Sequence, residues 1–476
     1  MNLRRFIKAV AQIGVSNIIA LFGNVILSLL IPKILGMEDY GLYKIFTLYI
    51  SYIALLHLGF VDGIALKYGG KDYDTLDKEE LRSYLTIFSG VEILISIIII
   101  AIGLLFIERK YWFILLCVVA NIIIVNITSY YQLLSQAVKR FRELATRNVV
   151  NAIMQCLYIA ILFLIYKFVD ETYANYRVCI LLNLFTKAVL LMWYIYSYRE
   201  ISKPSFLHLN KYKKGFVEIL KVGMPITWAA MISNLILILD RQFVSVLFSS
   251  TEYAVYAFAY TIFGLLISMI SAVSTVLYPL IKENKNVEIV CSFFPGFTAA
   301  IQVFVGGALV FFVPMCSFIG CFLPSYTNSI DIMKIIFPGV MMSSVVTVIT
   351  LTFYKYFNLG RVFFRFSIIT LAVAFLTNLI GYLLFKSTEA IAIASIITLI
   401  IQYIITNGYL AKQIKETWLP NFVYVIGIIT SFYLTSFLLD DSLSWIAYIA
   451  CFLAITTIIY GQEIRSIIVK YLYKRT

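Results

Sequence analysis

The chain of 476 residues is 62% hydrophobic and 13% charged, with a mean hydropathy of +0.92, whereas an ordinary soluble domain is about 25% charged; a soluble protein is excluded and a polytopic membrane protein implied. The net charge of +13 calls for no nucleic acid, because in a membrane protein basic residues first record topology. Seven Cys without a C-x-x-C pair, set apart from the two His, argue against a metal or redox centre, and no cofactor is expected.

The start, MNLRRFIKAVAQIG, has the basic flank of a signal peptide, but the apolar run continues from Val10 to Leu35 without a small-residue cleavage site. It reads as a first retained helix. Apolar stretches long enough to cross a hydrocarbon core of about 30 Å predict fourteen helices, six of them near 10–35, 42–67, 82–107, 111–136, 145–168 and 176–198. The other eight fall near 217–248, 253–281, 288–313, 332–356, 361–385, 389–411, 420–438 and 443–461. With the N-terminus inside, the inner segments hold 28 of the 38 Lys and Arg and the outer loops 9. That excess is the one expected of cytoplasmic loops, so both termini are expected in the cytoplasm.

A repeat organises the series. The stretch LGMEDYGLYKIF (35–46) returns in outline as FSSTEYAVYAFA (248–259), each between the first and second helix of its half. The longest polar connection, 199–216, is basic and interrupted by Pro204, as expected of a cytoplasmic linker. The predicted organisation is a six-helix bundle over 1–198, the linker, a second bundle over 217–411, and helices thirteen and fourteen with a basic tail over 412–476. Six is even, so the halves insert in the same sense, the layout of parallel-repeat transporters.

The segments KILGMEDYGLYKIFTLYISYIALLHLGFVDGIALKYGG (33–70) and MPITWAAMISNLILILDRQFVSVLFSSTEYAVYAF (224–258) resemble signatures of bacterial polysaccharide flippases of the Wzx type. These belong to the multidrug/oligosaccharidyl-lipid/polysaccharide (MOP) superfamily, with the peptidoglycan-precursor flippases (MurJ-like) and the MATE exporters. The resemblance implies an all-α polytopic fold in the bacterial inner membrane. It implies alternating access, with a cation as the expected coupling partner, that moves undecaprenyl-diphosphate-linked oligosaccharide units to the outer leaflet for O-antigen, capsule or another surface polymer. The implied partners are this glycolipid, membrane lipids, and a polysaccharide polymerase with its chain-length regulator. Helix one has neither an acidic nor a basic residue from Val10 to Leu30, which departs from one branch of cation-coupled drug exporters and from many peptidoglycan-precursor flippases.

Such a substrate calls for fixed positive charge in a hydrated cleft. A charge at mid-helix costs about 2.5–3.5 kcal/mol on insertion scales, so each one there needs a reason. Lys187 lies about ten residues, or roughly 15 Å, into helix six; it is either a cavity cation facing the diphosphate or the partner of an acid such as Glu92. Arg241, near the outer end of helix seven beside Asp240, offers a planar fork to phosphate or forms a structural pair. His57 and Asp62 on helix two and Glu92 on helix three are candidates for substrate contact or ion coupling; for His57 a packing role, and for Asp62 a helix-ending role, are the alternatives. Arg361 and Arg365, one turn apart, with Arg142 and Arg147, are candidate cations of the inner mouth, or ordinary topology residues.

Two other function classes compete. A membrane-embedded glycan polymerase carries its chemistry on a substantial outer loop, yet every outer connection here is short, and no G-x-S-x-G, H-E-x-x-H or P-loop arrangement occurs. The chain is therefore not expected to be an enzyme. A cation-coupled multidrug exporter would have an apolar, acidic cleft for cationic drugs.

Overall fold

The computed structural model describes residues 23–206, 209–283 and 286–473. The basic N-terminal flank and the first half of expected helix one lie outside them. Among the described residues the chain is nearly all helix, with no strand. Ten helices are long and apolar enough to cross a membrane, or twelve if each of two bent pairs is one span. Helices also lie at the two remaining expected positions: α1 (Gly23–Ile34), which is short, and α10 (Leu209–Leu247), which begins within the 199–216 stretch.

Two compact units make up the chain: up to Ile238 plus Ser249–Ala254, and Leu239–Phe248 plus the chain from Val255 on. In the first unit, expected helix two is a bent pair. Helices α2 (Met37–Ile50) and α3 (Ile53–Leu56) turn by 51° into α4 (Phe60–Tyr68). The turn is made by Leu58 (φ 51°) and Gly59 (φ 84°), and His57 Nδ1 accepts from the Gly59 N–H at 3.2 Å. Glycine is needed here twice over. It takes the left-handed conformation at little cost, and a Cβ on it would lie 2.3 Å from the Met224 nitrogen of α10. Gly63 and Gly223 repeat the close approach, with hypothetical Cβ atoms 2.3 Å from Ile219 O and 1.9 Å from Gly59 O. The G-x-x-x-G spacing of Gly59 and Gly63 thus lets α4 and the first part of α10 meet backbone to backbone, the packing that membrane helices use in place of a hydrophobic drive.

Helices α5 (Lys78–Phe106), α6 (Trp112–Ala137), α7 (Phe141–Phe168) and α8 (Tyr176–Ser197) complete the unit. Asp77 caps α5, accepting from the N–H groups of Glu79 (2.9 Å) and Glu80 (3.2 Å), while the Tyr212 hydroxyl donates to its other oxygen at 3.0 Å. Slight burial pushes its carboxyl up, but these hydrogen bonds outweigh that and hold it below the ordinary value. The polar stretch before α10, which contains the short helix α9 (Arg199–Ser202), is docked on α5: the Ser205 N–H donates to Thr86 Oγ1 at 3.0 Å, and Arg82 Nε donates to Glu200 O.

Both copies of the repeated stretch open a helix with an acid in the first turn, α2 and α11 (Ser250–Glu283). Their tyrosines, Tyr40, Tyr43, Tyr253 and Tyr256, are buried. The Ser250 carbonyl, in the first unit, lies so near Gly41 that a Cβ there would be 1.9 Å away.

In the second unit the series continues with α12 (Val287–Ala308), α13 (Phe312–Phe322), α14 (Ser329–Ile336), α15 (Gly339–Ser344) and α16 (Leu351–Tyr356). It ends with α17 (Gly360–Phe385), α18 (Thr388–Ile414), α19 (Leu419–Leu438) and α20 (Asp441–Tyr473). Expected helix ten is the second bent pair, turned by 50° at Phe337-Pro338. It then passes through a π segment at Val345–Thr350, where the Thr350 hydroxyl donates to Asn407 of α18 at 2.9 Å. Pro225 and Pro295, by contrast, lie inside helices that run on through them. Hydroxyls facing the interior are spent on carbonyls one turn back, as at Thr186, Thr298 and Thr406, which satisfies them where water is absent.

Candidate functional site

A cavity of about 280 Å³ lies among α6, α7 and α8 of the first unit. Each helix supplies one polar face at helical spacing: Thr128, Ser129 and Gln132 from α6; Arg147, Asn148, Asn151 and Gln155 from α7; Asn183, Thr186, Lys187 and Tyr194 from α8. Two cations and five amides therefore share it, and none of the described lining residues is acidic. Lys187 Nζ donates to Asn121 Oδ1 of α6 at 3.0 Å, which fixes the ammonium and leaves its other donors for the cavity. Arg147 is 4% exposed. Its guanidinium sits 4.0 Å over the Tyr194 ring and pairs with Glu143 at 3.2 Å, yet its Nε has no partner among the described residues. The Asn183 carbonyl oxygen has none either. Unspent donors and acceptors at the wall of a polar cavity are what a hydrogen-bonding ligand needs.

The other sequence candidates divide. Glu92 does not pair with Lys187. It is fully buried on α5 and accepts from Asn126 Nδ2 at 2.9 Å, its Oε1 being unpartnered among the described residues. Asn121 and Asn126, five residues apart on α6, thus hold the lysine and the glutamate separately. Asp62 accepts from the Thr227 hydroxyl of α10, and His57 forms the α3–α4 turn described above. In the second unit, Asp240 is 3% exposed. It accepts from the hydroxyls of Tyr256 of α11 and Ser395 of α18, each at 3.0 Å, and from the Arg241 N–H at 2.7 Å. Arg241 lies over the Tyr260 ring at 5.4 Å, its Nε 4.0 Å from Asp240. Arg361 and Arg365 are exposed at the start of α17, and Arg142 is exposed at the start of α7. Arg147, grouped with them on sequence, is instead buried and lines the cavity that Lys187 also lines.

Sequence reasoning passed over the amides. The signal was present in RNVVNAIMQ (147–155), where Asn148, Asn151 and Gln155 recur at i, i+3 and i+7 inside an otherwise apolar helix. A polar stripe on one face of a membrane helix points to a cavity or a helix partner.

The chain matches the family described as polysaccharide biosynthesis protein over residues 4–285. It belongs to that family. Among solved structures it is similar to the lipid II flippase MurJ in an inward closed conformation, at 15% identity and a TM-score of 0.66, covering 96% of this chain and all of that one. It is also similar to a multidrug resistance MATE family transporter of the MOP superfamily. The inward-facing form gives a TM-score of 0.57 at 15% identity, covering 84% of this chain and 94% of that one. The outward-facing form gives 0.54 at 15% identity, with 86% and 96% covered. A comparison with curated protein sequences gives no match. At these identities the likeness establishes the fold: this member of the polysaccharide biosynthesis family shares the all-helical architecture of those structures, with ten or more of its described helices long and apolar enough to cross a membrane.

Proposed function

We propose that this chain is a flippase carrying undecaprenyl-diphosphate-linked oligosaccharide repeat units from the cytoplasmic to the outer leaflet of a bacterial inner membrane, by alternating access, for O-antigen, capsule or exopolysaccharide assembly. The observation that carries the reading is the cationic, amide-lined cavity of the first unit. Lys187 and Arg147 match a diphosphate in charge, and hydrogen bonds to charged groups are worth about 1.5–3 kcal/mol each. Asn148, Asn151, Gln155 and Asn183 suit the hydroxyl and amide groups of the first sugars. The volume, near the lower end of the roughly 300–1,000 Å³ of ligand pockets, fits the diphosphate end of the molecule; the lipid tail stays in the bilayer.

The same reading includes fourteen spans, both termini in the cytoplasm and two six-helix bundles (1–198 and 217–411), the 412–476 segment being an addition. A polymerase and a chain-length regulator receive the product. For cation coupling we favour Glu92, whose second oxygen has no partner among the described residues, over Asp62, held by Thr227, and Asp240, whose oxygens accept from two hydroxyls and the Arg241 N–H. Glu92→Gln then weakens the dependence of transport on the proton gradient, and unchanged dependence removes the assignment. The MATE likeness raises a drug-exporter reading, but a cavity lined by Lys187 and Arg147, with no acid among its described lining residues, disfavours cationic drugs.

The test is deletion in the native host with mass spectrometry of membrane lipids. Accumulation of complete diphosphate-linked units with loss of surface polymer, reversed by re-expression, supports the flippase. Intact surface polymer with heightened sensitivity to cationic compounds supports the exporter and overturns this reading.

A further inference from the structure

We propose that the second unit carries a separate binding site for a phospholipid with an amine–phosphate headgroup, at the end where the α13–α14 and α19–α20 turns meet. A pocket of about 300 Å³ opens there, and Lys334 and Asp441 line it from different hairpins. Lys334 is half-buried at the end of α14, and Asp441 is exposed at the first residue of α20. Neither has an ion-pair partner within 4.0 Å among the described residues. One positive and one negative group, each unspent, face the same space. The same pocket is lined by Ser436 and Ser444, which are 8% and 4% exposed. The Ser436 Oγ is buried with no hydrogen-bond partner among the described residues. A buried hydroxyl left unpaired is costly, and a ligand oxygen or N–H would satisfy it.

The frame around the pocket is fixed. Tyr433 of α19 donates to Ile335 O at 2.7 Å, while Trp445 and Tyr448 of α20 donate to Val310 O (2.9 Å) and Gly306 O (2.8 Å). A preformed site spares the ordering cost of binding.

The chemistry selects the ligand. A purely anionic headgroup would pair with Lys334 but meet repulsion at Asp441. A quaternary ammonium lacks the N–H donors that a carboxylate accepts. A phosphoethanolamine headgroup supplies both, its phosphate toward Lys334 and its ammonium toward Asp441. A lipid is favoured over a free solute because one wall of the pocket is apolar. That wall is Phe312, Val313, Cys316 and Ile330, a surface for the upper part of an acyl chain. None of these residues lines the first unit's cavity, so this site stands or falls independently of the flippase reading.

The test uses the full chain in nanodiscs of equimolar phosphatidylethanolamine, phosphatidylglycerol and phosphatidylcholine of one acyl composition, with bound lipid counted by native mass spectrometry. We expect phosphatidylethanolamine to be retained about tenfold over the other two, the equivalent of one charge-assisted hydrogen bond. Lys334→Gln lowers its retention about tenfold. Asp441→Asn removes the preference over phosphatidylglycerol, and soluble phosphoethanolamine does not displace the lipid. Ser436→Ala, a neutral change, gives a smaller loss at unaltered folding and guards against a misfolded charge variant. Equal retention of the three lipids, or retention unchanged in both charge variants, overturns the proposal. Soluble phosphoethanolamine binding as tightly as the lipid also overturns it, by making this a solute site.

Discussion

The first unit's cavity and the second unit's Asp240 cluster are both polar islands in apolar helices, yet they settle their charges in opposite ways. Around Asp240 both oxygens are used, by Tyr256, Ser395 and the Arg241 N–H. Lys187 and Arg147 line about 280 Å³ of space, and the Arg147 Nε has no partner among the described residues. A buried polar group without a partner costs about 1–3 kcal/mol, so a carboxylate with both oxygens satisfied reads as structure, and unpaired groups lining a cavity read as a binding site. Total polarity does not separate the two; the direction of the unspent hydrogen bonds does.

Four substitutions sharpen or break this contrast. The largest effect on transport is expected at Lys187. Lys187→Ala at normal membrane abundance lowers export of surface polysaccharide about 10–100-fold, the size of one lost charge-assisted hydrogen bond, while Lys187→Arg keeps part of it; quantifying surface polymer against protein level checks both. Asp240→Asn acts on the fold instead. It lowers thermal stability by about 1.5–3 kcal/mol, read as a fall in Tm of the purified protein, and reduces export only in proportion to abundance. If it abolished export at normal abundance, the contrast would collapse. Asn151→Leu removes one amide from the cavity wall and lowers export about fivefold, near 1 kcal/mol for a neutral hydrogen bond, with Tm unchanged.

The smallest effect is at Asp77, which belongs to neither island. Asp77→Ala loses the α5 cap, at about 1 kcal/mol. Because the folded carboxyl lies below its unfolded value, its contribution is present above about pH 4 and disappears as pH falls through the folded value. The Tm gap between wild type and variant therefore narrows toward about pH 3; a gap that widens in acid would contradict the cap assignment.

Hydropathy and the Lys and Arg distribution made the all-helical membrane fold legible, because the bilayer imposes span length and satisfied backbone on every segment. The bends were not. The break at 51–59 depends on Leu58 and Gly59 taking positive φ against α10, a contact across more than 160 residues of chain. Pro225 and Pro295 lie inside helices that continue through them while Pro338 lies at a 50° bend, a difference that the residue type alone does not announce. At the site, Lys187 was legible as a lone charge deep in an apolar run. Arg147 was hidden by its neighbours Lys139, Arg140 and Arg142, since a basic cluster at a helix start looks like topology; its burial depends on Glu143 and the Tyr194 ring. Glu92 was read against Lys187 because opposite charges attract, but α6 supplies an asparagine for each instead.

The most direct test of the central claim places a photoreactive amino acid at Gln155, on the cavity wall, in the native host lacking the wild-type protein. The account predicts an adduct with the mass of a complete diphosphate-linked repeat unit, strongly reduced in a Lys187→Ala background at equal abundance. Capture of ordinary phospholipid alone, or a glycolipid adduct undiminished by Lys187→Ala, would contradict it.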